Sequence, residues 1–94
     1  MGLDLVVDKK EKSLNNISSI LNDCHMLLDF RISDKGSKAA INIETDSASV
    51  EYVVSSKKEM TNFLIELKDR VKYNKEDINS LLEEMEDLEL GLLN

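Results

Sequence analysis

Residues 28–55 read LDFRISDKGSKAAINIETDSASVEYVVS, and this stretch decides the fold. Leu28, Phe30 and Ile32 alternate with Asp29, Arg31 and Ser33, the period of two that puts apolar side chains on one face of a strand. Asp34-Lys35-Gly36-Ser37 supplies a turn, in which Gly36 can take the positive φ that other residues resist. Ala39, Ile41 and Ile43 resume the alternation on a second strand, and Thr45-Asp46-Ser47 turns the chain again. Ala48, Val50, Tyr52 and Val54 mark a third strand, with Ser49 and Glu51 facing out. The pattern predicts an antiparallel meander over 28–55 with one apolar face. Such a sheet is stable only when other elements cover that face.

Helical periodicity flanks the meander on both sides. Asp8-Lys9-Lys10-Glu11 has the acceptor-x-x-Glu spacing of a capped helix start. From there Leu14, Ile17, Leu21, Cys24 and Leu28 recur at steps of three and four, joined by Ile20 and Leu27. This stripe predicts a helix over about 9–25. After the meander, Ser56-Lys57-Lys58-Glu59 is the clearest capping box in the chain. It opens a helix over about 57–73 with Met60, Phe63, Leu64, Leu67 and Val71 on one stripe. Asn74-Lys75-Glu76-Asp77 offers a further cap and starts a helix over about 75–90. Ile78, Leu81, Leu82, Met85 and Leu88 form its apolar stripe, and Gly91 can end it in a left-handed conformation. The short link at Tyr73-Asn74 makes the last two helices neighbours, as a hairpin or a sharp corner. The expected fold is therefore α+β, in the order α-β-β-β-α-α, a single small domain over 1–94 with a three-stranded antiparallel sheet covered by helices.

Composition narrows the function classes. A hydrophobic fraction of 41% with 33% charged residues describes a folded, charge-rich chain. No apolar run approaches the roughly 18–20 residues that span a bilayer. Met1 to Asp8 has no basic start for a secretory signal, and Val6 stands where a myristoylation motif carries Ser or Thr. The expected location is the cytoplasm. A single cysteine, Cys24, excludes an internal disulfide and a multi-thiolate metal site. The net charge of −7 argues against direct binding to nucleic acid or to an anionic membrane. Two Phe, two Tyr and no Trp leave little surface for stacking bases.

The sequence carries no recognisable catalytic pattern. Cys24 and His25 are the only thiol and the only imidazole, and consecutive helix positions point about 100° apart, which disfavours a dyad. Cys24 is expected to face the core, and His25 to bond carbonyls at the helix end. Gly-rich phosphate loops and the ligand spacings of zinc or EF-hand sites are missing. The carboxylate pairs Glu83-Glu84 and Glu86-Asp87 would spread over a convex helix face instead of converging on a cleft. The expectation is a protein that is not an enzyme, with no catalytic residue, cofactor or metal.

The charge is distributed unevenly. Residues 1–75 carry twelve acidic and twelve basic side chains, whereas residues 76–94 carry seven carboxylates and neither Lys nor Arg. Plotted on a helix, Glu76, Asp77, Glu83, Glu84, Glu86 and Asp87 spread over the face opposite the apolar stripe. Glu86, Asp87 and Glu89 crowd the C-terminal end, where the helix dipole prefers cations, and Glu83 has like-charged neighbours at Glu86 and Asp87. Local rules broken without compensation mark a place to look for function. These six residues are the candidate partner-binding set, for a basic protein partner such as a nucleic-acid-binding enzyme. Fourteen helical residues with seven carboxylates give about one charge per 3 Å of axis, close to the roughly 3.4 Å spacing along one DNA strand. Two other readings compete. Lys68, Arg70, Lys72 and Lys75 would neutralise the acids across the helix pair, leaving a merely solvated face; or the chain is an adaptor or homodimer joined through Leu81, Leu88, Leu92 and Leu93.

The α-β-β-β-α-α order, the small acidic domain, and Glu51-Tyr52-Val53-Val54-Ser55 leading from the last strand into a capped helix resemble small phage anti-CRISPR proteins. The likeness is architectural and covers roughly residues 12–90. Family members block the DNA-binding surface of a CRISPR nuclease, so the resemblance implies a compact acidic inhibitor. No inhibitory position is carried over from the family to this sequence. Secretion chaperones of the type III class, and antitoxin or immunity proteins, share the small acidic build.

Overall fold

Three helices cover one face of a three-stranded sheet in the computed structural model, which describes residues 9–87. The elements are α1 (Lys9–Asp23), β1 (Leu27–Asp34), β2 (Ala39–Thr45), β3 (Ser49–Val54), α2 (Lys57–Arg70) and α3 (Lys75–Asp87). The fold is α+β in the expected order. The expectations that concern residues 3–7, the Asp8 cap, Leu88 to Leu93 and the Gly91 stop lie outside the described residues.

The sheet runs β1-β2-β3 with both pairs antiparallel. Its register sorts the side chains into two faces. Phe30, Ile43 and Val50 stand in one row, and Ile32, Ile41 and Tyr52 in the next. These face the helices and join Leu14, Ile17, Leu21, Met60, Phe63, Leu64, Leu67, Ile78, Leu81 and Met85 in one core. Tyr52 stacks on Phe63 with ring centroids 4.1 Å apart, a contact that fixes α2 over β3. The outer face is polar: Arg31, Asn42 and Glu51 form one row, and Asp29, Glu44 and Ser49 another. Lys35 from the first turn meets Glu51 at 3.1 Å across the central strand, beside Ala40, which is fully buried although it lies on this face.

Both turns follow from their residues. Gly36 takes φ +82° and its N–H donates to Asp34 Oδ1 at 3.0 Å. In the second turn the buried Thr45 hydroxyl accepts from the N–H of Ser47 at 3.3 Å and of Ala48 at 3.0 Å. Four elements differ from expectation. The pairing slips between Leu27 and Asp29, so Leu28 is an extra residue in a bulge. Leu27 turns to the core with Phe30 and Ile32, and Leu28, expected inside, is exposed. The first helix ends at Asp23 and the second at Arg70, two and three residues early, because Asn22 and Asn74 redirect the chain there. Asn74 adopts φ +65°, a left-handed conformation that asparagine tolerates better than most residues. Its carbonyl accepts the first bond of α3, while its side-chain amide donates to Leu21 O of α1 instead of capping α3.

Polar ties between helices concentrate at this end of the layer. Asn22 donates to the Arg70 carbonyl and accepts from the Lys72 N–H at 2.7 Å. Arg70 reaches across to Asn15 and Glu11, both at 2.6 Å. Lys10 pairs with Glu66 at 2.5 Å, an ion pair to the buried Glu66 Oε2, which makes no hydrogen bond.

Candidate partner-binding surface

The third helix exists because its sequence separates two kinds of side chain by angle. Ile78, Leu81 and Met85 are buried, with Leu82 partly buried beside them. Glu76, Asp77, Glu83, Glu84, Glu86 and Asp87 are all exposed. All six candidate residues therefore sit together on the solvent side of one helix, held there by the apolar stripe docked on α2 and β1.

Two of the four basic neighbours expected to neutralise these acids are engaged elsewhere. Arg70 is committed to Glu11 and Asn15 of α1. Lys75 Nζ donates to the Lys68 carbonyl at 2.9 Å. Among the described residues the ion pairs are Lys10–Glu66, Arg31–Asp29, Lys35–Glu51 and Arg70–Glu11. None involves a carboxylate of α3. The first turn of α3 is acidic at Glu76 and Asp77, favourable for the dipole, but its last described turn holds no base. Among the described residues, no ion pair offsets the unfavourable dipole placement of Glu86 and Asp87.

A groove runs along one flank of this acidic face. Lys57, Thr61 and Ile65 of α2 form one wall, and Leu82, Met85 and Glu86 of α3 the other, around a volume of about 440 Å³. The start of α2 thus lies opposite the end of α3, and the two helices form an antiparallel hairpin. Ile65 is 49% exposed, a large apolar side chain left to solvent at the groove mouth. At about 100° per residue, Glu86, Glu83 and Glu76 follow Leu82 round the groove side of α3. Asp77 and Glu84 fall on the other flank. Sequence reading missed this groove because Ile65 lies off the stripe that marks the buried face of α2; an isoleucine amid charged positions is its only signal.

The remaining sequence candidates have ordinary surroundings. Cys24 lies just beyond α1, half-buried, and its thiol donates to Leu21 O at 3.3 Å and accepts from Asn74 Nδ2 at 3.8 Å. His25 is exposed, and its backbone N–H donates to Asp46 Oδ1 at 3.4 Å. The expected bond from His25 to the helix-end carbonyls is replaced by those of Cys24 and Asn74, because the helix stops two residues before His25. Leu81, expected as a dimer contact, is buried in the core and is not available to a partner. Among the described residues no three His, Cys, Asp or Glu side chains converge on a metal-sized site. No helix there is long and apolar enough to cross a membrane.

Comparison with protein-family models, with curated proteins and with solved structures finds no match to this chain.

Proposed function

We propose that this protein is a non-enzymatic binding protein that covers a basic surface of a partner protein with the exposed acidic face of α3. One observation supports this above the others: six carboxylates share that face and none is ion-paired within the described residues, although the chain carries enough cations to pair them. Unpaired charge of one sign on a rigid helix favours fast, steered association with the opposite sign. In its specific form the partner is a nucleic-acid-binding enzyme whose phosphate-binding surface is blocked, as the anti-CRISPR resemblance implies for a phage inhibitor acting in the cytoplasm. The adaptor reading is less favoured, because Leu81 is withdrawn into the core.

The test is affinity capture from native lysate, eluted with a salt gradient. Reversal of Glu83, Glu84, Glu86 and Asp87 to Lys should abolish capture of a basic protein that the unchanged chain releases at raised salt, with the far-UV spectrum preserved. Equal capture by the reversed chain would overturn the acidic-face mechanism.

A further inference from the structure

We draw no further inference here: the strongest candidate, the groove between α2 and α3 that Ile65, Leu82 and Met85 line, carries Lys57 opposite Glu86 and so favours neither charge, and nothing in the structure shows what covers it.

Discussion

Gly36 and Ser56 show how single residues hold this fold. At φ +82° a side chain at position 36 is strained by its own backbone, and no atom lies within 4 Å of where a Cβ would stand. Gly36→Ala should therefore cost about 1 kcal/mol, all of it conformational, read as a lower urea midpoint with an unchanged slope. Ser56 accepts from the N–H of Glu59 at 3.1 Å, and Glu59 returns to the N–H of Ser55 at 3.2 Å. The reciprocal bond thus falls one residue before the cap, not on the cap's own N–H, but it still ties the end of β3 to the start of α2. Ser56→Ala should lower stability by about 1 kcal/mol in the same assay.

At the scale of elements, the Leu28 bulge has the sharpest consequence. Because Leu27 packs on the core and Leu28 is 53% exposed, two adjacent leucines should respond in opposite ways. Leu28→Lys should change stability by no more than about 0.5 kcal/mol, whereas Leu27→Lys should cost about 2 kcal/mol or more by forcing an ammonium toward the core. Equal effects in thermal melts would contradict the observed register. This pair also marks where sequence reading stops. The alternation of Ala39, Ile41, Ile43, Val50, Tyr52 and Val54 was legible because local period and burial agree along β2 and β3. The start of β1 was not, since Leu27 and Leu28 both suit the core and only the pairing with Thr45 and Glu44 selects one. The helices α1 and α2 were legible from period, but their C-terminal ends were not, as Asn22 and Asn74 act on residues some fifty positions away. The acids of α3 could be named from sequence. That they make no ion pair among the described residues could not, because Arg70 and Lys75 had first to be seen engaged elsewhere.

Across the whole molecule, the net charge of −7 arises within residues 76–94, and its share in the last described turn of α3, Glu86 and Asp87, opposes folding and favours association. Glu86→Gln combined with Asp87→Asn should raise stability by about 0.3–1 kcal/mol by relieving the dipole and like-charge terms. The same variant should weaken partner binding and flatten its dependence on salt, measured by calorimetry at two ionic strengths. A gain in both stability and affinity would contradict a functional role for these acids. The clustering of polar ties at the Arg70–Asn74 end has its own mechanical result. Glu11, Asn15, Asn22, Asn74 and Lys75 pin the helix layer there, while at the Lys57–Glu86 end no side-chain hydrogen bond or ion pair joins α2 to α3 among the described residues. The hairpin is built like a clothes-peg, sprung at one end and compliant at the other. Amide exchange should therefore quicken along α3 from Ile78 toward Met85, and the groove lies at the jaw that opens.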